Sequence, residues 1–391
     1  MALQVLFIIF LYNTALCSAA RDTYSVVNFG ATPGGKTDSS EGFLAAWTAA
    51  CGSDSPSTVY VPSGRFLVSS PTVFSGKDCK STAITFRIDG SLVAPSDYRV
   101  LGNADTWLTF ESVTGVTISG GVLDGQGAGL WACKASRGGC PGGAVTLRFT
   151  NSKNVVVSGL TSVNSQLYHI VVDGCNNAQL QGIKVSASGQ SPNTDGIHVQ
   201  GSTGVTILSS QLATGDDCIS IGAGSANLWI ENVACGPGHG ISIGSLGKQF
   251  NEAGVHNVTV KTVTFTGTEN GLRIKSWARP SNGYVRNVLF QHATMIDVQN
   301  PIIINQNYCP DNKGCPDKAS GVRISDVTYQ DIHGSSATEV AVNLDCSPKN
   351  PCTNIVLEDV NLNHRRWPAR SSCAHADGST YGVVQPSDCL N

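Results

Sequence analysis

Charge is what this sequence has least of. Only 14% of its 391 residues are charged, and 25 Lys and Arg stand against 28 Asp and Glu for a formal net charge of −3. So even a balance excludes a strongly basic nucleic-acid binder and an acidic disordered tail. No run of 18 apolar residues occurs, so no segment reads as a membrane span. There is no C-x-x-C pair and no His-rich cluster, which weakens a metal-binding reading of the cysteines. Linkers, charge blocks and low-complexity stretches are missing too, so the chain reads as one domain. Few charges and 43 glycines, well above the roughly 7% of ordinary usage, argue against amphipathic helix bundles. They point to short strands joined by many turns.

What is present begins at the N-terminus. Val5 to Tyr12 is an apolar run too short to cross a bilayer, and Ser18, Ala19 and Ala20 precede Arg21. This reads as a secretory signal over residues 1–20, leaving 21–391 as the mature chain, although no Lys or Arg precedes the run. Cysteine agrees with an oxidising destination. Of 14 cysteines, Cys17 would leave with the signal. Spacing suggests, without fixing, the pairs Cys133 with Cys140, Cys218 with Cys235, Cys309 with Cys315, Cys346 with Cys352, Cys373 with Cys389, and Cys51 with Cys79. Cys175 is then the odd one, expected as a buried thiol. Asn257-Val258-Thr259 is an N-glycosylation acceptor.

Internal repetition sets the fold. An Asn or Gly precedes a short apolar or alternating run at Gly115, Asn154, Asn177, Gly204, Asn227, Asn257, Asn287, Gly321 and Asn354. The spacings are 39, 23, 27, 23, 30, 30, 34 and 33 residues. Leucine-rich repeats would need a Leu ladder, and propeller blades a longer, more regular period. Strand signals on a variable period fit an all-β, right-handed parallel β-helix, in which each coil lays its strands beside those of the last. Asn or Gly suits the tight left-handed corners. A short helix is predicted to cap the N-terminal end. Asp38 with Glu41 would open it as a capping-box variant, and Phe43, Leu44 and Trp47 would form its apolar face.

A second column of strands aligns Ile197-His198-Val199, Ile219-Ser220-Ile221, Ile241-Ser242-Ile243, Leu272-Arg273-Ile274 and Ile302-Ile303-Ile304. With period 2, the first residue of each points inward and His198, Ser220, Ser242, Arg273 and Ile303 point outward. Two places before each of the first four triplets stand Asp195, Asp217, His239 and Asn270, with Asp216 beside Asp217. Strands about 4.8 Å apart would stack these groups on successive coils. Arg273 and Lys275 share the outward face of the next strand. Ser220, Gly222, Ser242 and Gly244 leave a floor without bulky side chains, as an extended polymer needs.

Three close carboxylates cannot all ionise freely, so one pKa should rise. A protonated carboxyl can supply a leaving oxygen with its proton while the others hold and deprotonate a water. A water between carboxyl groups about 6.5–9.5 Å apart gives inversion of a glycosidic centre. Arg273 and Lys275 would hold an anionic sugar. A polyuronide is the matching substrate, and acid–base chemistry of this kind asks for no cofactor or metal.

Asn193-Thr194-Asp195, Gly215-Asp216-Asp217, Gly238-His239-Gly240 and Arg273-Ile274-Lys275 resemble, in order, the four signature blocks of the polygalacturonases, with a plant member as the nearest likeness. The likeness runs from about Ser25 to the C-terminus and includes Asn28-Phe29-Gly30-Ala31 and Leu123-Asp124-Gly125-Gln126-Gly127. It implies Asp216 as general acid, Asp195 and Asp217 as the water-activating pair, and His239 as the residue that maintains the acid's protonation. It implies Arg273, Lys275 and Tyr308 as substrate binders and Asn193 as support. Leu130-Trp131 and Asn305 depart from the pattern of many relatives, and neither removes a catalytic group. No long propeptide fits between Ala20 and Ser25, so secretion in active form is expected.

The resemblance therefore implies a secreted cell-wall hydrolase of α-1,4-galacturonan. Endo action is mildly favoured, with exo action or rhamnogalacturonan hydrolysis as alternatives. A calcium-dependent lyase would need an Arg base. A non-catalytic wall-binding protein would have no use for the full set of acids and cations. The expected partners are pectin and, as a further candidate, an inhibitor protein, with no nucleic acid, no membrane and a monomeric state. His198 is expected at the surface beside the site. His169 is placed either near one end of the cleft or in ordinary packing. Trp131 is expected as a loop anchor.

Overall fold

The computed structural model describes residues 22–136, 138–310 and 313–391. The expected signal segment lies outside them. The chain winds into a parallel coil whose strands stack on those of neighbouring turns. One sheet of eleven strands runs in order from Thr72–Ser75 through Ile197–Gln200, Ile219–Ile221, Ile241–Leu246, Asn270–Trp277 and Asn300–Tyr308 to Arg370–Ala374. A second sheet joins two further strand columns, which fuse from Thr203–Ala213 onward into long continuous strands. Among the described residues the named strands pair in parallel, apart from a two-residue antiparallel contact of Asn363–His364 with Trp367–Pro368, and an isolated antiparallel bridge joins Ser347 to Asn350. Parallel crossovers of this kind are right-handed in about 98% of cases.

The expected register holds. Ile197, Ile219, Ile241, Leu272, Ile302 and Val342 are consecutive partners across the eleven-stranded sheet, and each is 0–1% exposed. Each such aliphatic side chain contributes about 1.5–3 kcal/mol on burial, so the column is the backbone of the core. Nearer the N-terminus the filling is aromatic, with Phe74 stacked on Phe110 at 4.7 Å and Phe110 on Phe149 at 5.4 Å.

Corner residues behave as the repeat requires. Asn154, Asn177, Asn227, Asn257, Asn287 and Asn354 all have φ between 54° and 59°. Asn177 Nδ2 donates to Asn154 Oδ1 at 2.7 Å, and Asn257 Nδ2 donates to Asn227 Oδ1 at 2.6 Å. One position differs from the sequence reading. Val288 pairs with Val327, so Asp326 (φ 56°), not Gly321, is the corner of its coil. A longer loop precedes that coil, and Gly321 lies in it. An Asp can take the left-handed conformation and still bond its neighbours, and Asn354 Nδ2 donates to Asp326 Oδ1 at 2.9 Å.

A helix, Ser40–Cys51, covers the N-terminal end, with Phe43 and Trp47 buried against Phe86 and Phe74. Its capping differs from expectation. Asp38 sits one residue before the cap position. Its Oδ1 accepts from the N–H of Ser40 at 3.1 Å and of Ser69 at 2.9 Å, tying the helix to the coil below; Glu41 is not among its partners. A second helix, Ala128–Ala135, was not foreseen, because its eight residues carry Gly129 and little periodicity. Trp131 anchors it, donating from Nε1 to the Ser165 carbonyl at 3.1 Å. Disulfides join all six expected pairs, and Cys175 is free and buried. No helix among the described residues is long and apolar enough to cross a membrane.

Candidate active site

The outward face of the eleven-stranded sheet carries a cleft of about 580 Å³. Asn193, Asp195, Asp216, Asp217, Lys275 and Tyr308 line it. His239 and Arg273 stand beside and beneath it, bonded to Asp216 and Asp217. The coil alone achieves this gathering. Asp195 and Asp217 precede paired strands, and the N–H of Gly196 donates to the Asp217 carbonyl at 2.9 Å. His239 follows on the next coil. The Gly after it is obligatory: Gly240 has φ +86°, and a Cβ there would lie 2.1 Å from the Asn270 carbonyl oxygen.

Asp217 is the electrostatic centre. Its side chain is 2% exposed. Arg273 Nη2 reaches Oδ1 at 2.6 Å and Lys275 Nζ reaches Oδ2 at 2.8 Å. Ser242 Oγ donates to Oδ1 at 2.8 Å and accepts from Arg273 Nε at 2.8 Å. Burial alone would push this carboxyl up. The Lys275 and Arg273 charges prevail and hold it at about 2. Arg273 was expected to face substrate, but it is 7% exposed and spends its fork on Asp217 and Ser242. Lys275 does line the cleft, with Tyr308 5.2 Å below its ammonium and Trp277 edge-on to that ring at 5.4 Å.

One of the three carboxyls is pushed up, and it is Asp195. Burial is the main cause, followed by repulsion from Asp216 and Asp217, and the Ser220 hydroxyl that donates to Oδ2 at 2.6 Å offsets part of it. Asp216 is the most open of the three, its side chain 19% exposed. His239 Nδ1 lies 3.2 Å from its Oδ1, and Asn193 Nδ2 donates to its Oδ2 at 3.4 Å. Burial would lower the His239 pKa. The Asp216 hydrogen bond and the Asp216 and Glu269 charges raise it instead.

Glu269 went unnoticed in the sequence, yet its Oε2 is 3.3 Å from His239 Nε2, so the imidazole sits between two carboxylates. Its place beside Asn270 in the aligned column was the available signal. Tyr168 was missed as well. It lines the cleft and packs its ring 5.1 Å from that of His198. His198 itself lines the cleft, with Nδ1 2.8 Å from Ser220 Oγ. His169 resolves to packing: it is fully buried, its Nδ1 lies 2.8 Å from Ser162 Oγ, and burial pushes its pKa down to about 3.

Asp216, Asp217 and His239 each offer a ligand atom within 4.8 Å of the others. Both Asp217 oxygens are already held by buried cations, whose fixed charge opposes a metal ion there. The group fits proton transfer better than metal binding.

Comparison with known proteins agrees with this geometry. The sequence pattern described as "Glycosyl hydrolases family 28" matches residues 51–381. A "Polygalacturonase" of Prunus persica is 65% identical over 98% of this chain and 97% of its own. An "Exopolygalacturonase" of Platanus acerifolia is 42% identical over 93% and 97%. Among solved structures, an endo-xylogalacturonan hydrolase from Aspergillus tubingensis superposes with TM-score 0.80 at 23% identity, covering 93% of this chain and 99% of its own. A polygalacturonase from Erwinia carotovora does so with TM-score 0.66 at 23% identity, covering 95% and 96%. Those two likenesses carry the fold, the right-handed parallel β-helix expected from the repeats. The chain belongs to glycosyl hydrolase family 28, and it is a glycoside hydrolase.

Proposed function

We propose that this enzyme is a polygalacturonase, hydrolysing the α-1,4-galacturonan of pectin with inversion at the anomeric carbon. One observation carries the reading: three aspartates and a cleft-lining lysine meet on a floor shaped for a polymer, in a chain 65% identical to a polygalacturonase.

Asp216, the most open carboxyl, acts as general acid. It donates its proton to the glycosidic oxygen as the bond from the anomeric carbon to that oxygen breaks. His239, whose pKa Asp216 and Glu269 raise, returns a proton to it between turnovers. A water attacks the anomeric carbon from the opposite face. Asp217, held ionised by Arg273 and Lys275, accepts a hydrogen bond from that water and fixes its direction. Asp195 takes the water's other proton; the sequence reading assigned the raised pKa to the acid, but it falls on this carboxyl, and once ionised a carboxylate of raised pKa is the better proton acceptor. Arg273 thus acts by fixing Asp217. Lys275 keeps N–H donors for a uronate carboxylate, Tyr308 packs beside the sugar, and Asn193 steadies Asp216. The protein works as a secreted monomer in the cell wall.

Reducing-end release from polygalacturonate, with the new anomer followed by NMR, tests the reading. A newly formed β-anomer is expected. An unsaturated sugar end, or loss of activity with EDTA, would overturn it. Relatives named as exopolygalacturonases keep end-wise attack as a second reading. A ladder of early oligomers favours internal cleavage, and monogalacturonate alone favours the ends.

A further inference from the structure

Beside the cleft, on its wall, lies a groove of about 520 Å³. Loops that follow the cleft strands on four successive coils build it, and Phe250, Pro280, Lys318, Lys349 and Asn350 line it together with Asp317. The wall is laced from loop to loop. Asn282 N–H donates to the Phe250 carbonyl at 2.9 Å, Gly321 N–H to the Arg279 carbonyl at 2.8 Å, and Asn350 Nδ2 to the Ser320 carbonyl at 2.8 Å.

Three features give the groove a chemistry. Phe250 is 63% exposed, a large apolar ring left in water. Among the described residues no salt bridge takes up Lys318 or Lys349. The same loops carry Lys248, Arg279, Lys313, Lys318 and Lys349 against Glu252, Asp311 and Asp317, in a chain whose net charge is −3. The groove also adjoins the cleft along the chain. Lys248 and Gln249 line the cleft while the next residue, Phe250, lines the groove. Arg279, next in the chain to the groove residue Pro280, stacks 5.2 Å over the cleft residue Trp277 and donates from Nη1 to the Lys248 carbonyl at 3.5 Å.

We propose that this groove is a second binding site for polyuronide, holding a stretch of the substrate chain outside the cleft. Lys318 and Lys349 pair with uronate carboxylates, and the exposed ring of Phe250 covers the apolar face of a sugar. The occupant rests on the polygalacturonase reading. Its consequence is a preference for long chains. A polymer held at the groove meets the cleft at raised effective concentration, whereas a short oligomer cannot span both.

Two variants test this, Phe250→Ala and the double Lys318→Glu/Lys349→Glu, all at exposed positions outside the cleft. On long polygalacturonate KM is expected to rise by about five- to tenfold with kcat unchanged. On trigalacturonate neither constant should move. Added salt should erase the wild-type advantage on the long chain. Unchanged KM on the long polymer in both variants would overturn the proposal. A parallel readout separates it from the function itself: retardation of the Asp216→Asn protein in a polygalacturonate gel. Groove substitutions should weaken that retardation. A wild-type enzyme inactive on polygalacturonate would count against the function, while the gel would still decide the groove.

Discussion

Two aspartates sit between two basic side chains in this molecule, on opposite faces of the coil. Asp217 lies between Arg273 and Lys275, with all three side chains at most 8% exposed. Asp331 lies between His292 at 2.7 Å and His333 at 3.4 Å, with side chains 46–50% exposed. The contacts look alike and differ in consequence. In water a cation's pull on a carboxylate is screened, and such pairs contribute little. Beneath the cleft, desolvation makes each ion expensive unless its partners stay, so the cluster is rigid and its charge state fixed. Burial, not pairing, separates the fixed charge cluster beneath the cleft from the screened contact on a corner ladder.

The largest break of this comparison is Asp217→Ala. It strands two buried cations, and a loss of about 3–5 kcal/mol in denaturant unfolding is expected, together with loss of activity. Asp216→Asn comes next. Its side chain is more open and bonds neither buried cation, and an amide oxygen can still accept from the Asp217 N–H as Oδ1 does at 2.8 Å, so kcat should fall by about 10²–10⁴-fold with the thermal midpoint little changed. Full activity in that variant would remove the acid assignment.

Asp195→Asn sharpens the contrast from the other side. A carboxyl raised by burial and like charge favours folding while protonated, and that contribution is lost as pH rises through its folded pKa. The neutral amide should therefore raise the melting temperature at neutral pH while activity falls, and the gain should vanish in acid. For Asp217 the sign is opposite. Its pKa is held at about 2, so its contribution is present above the ordinary carboxylate range and lost as pH falls toward that value. Ser220→Ala removes a donor from the Asp195 anion, and the acid limb of the pH–rate profile should move to higher pH. Smallest of all, Asp331→Asn should cost less than about 1 kcal/mol and leave kcat and KM alone.

Much of this was legible from residue order. The column Ile197, Ile219, Ile241, Leu272, Ile302 fixed which side chains face the core, because a strand's period is 2 and stacked coils must keep register. The same alignment put Asp195, Asp217 and His239 on successive coils. Legibility failed where geometry leaves the period. Gly321 looks like a corner residue but lies in a loop, and Asp326 does the work. Asp38 does bond the first helical N–H, but from one residue before the cap position, without Glu41, and it also bridges to the neighbouring coil. Glu269 carries no motif of its own; its place beside Asn270 was a faint signal, and its distance to His239 gives it a role.

Sequence alone therefore determined the coil, its inward stack, its left-handed corners and the acids and cations that share one face, since all of these follow from local periodicity and spacing. Only the tertiary structure decided that Arg273 serves Asp217 rather than solvent, that Asp195 is the carboxyl driven toward its neutral form, and that a basic groove opens beside the cleft. Desolvation and the summed field of neighbouring coils set those properties, and neither can be read from a residue's own place in the chain.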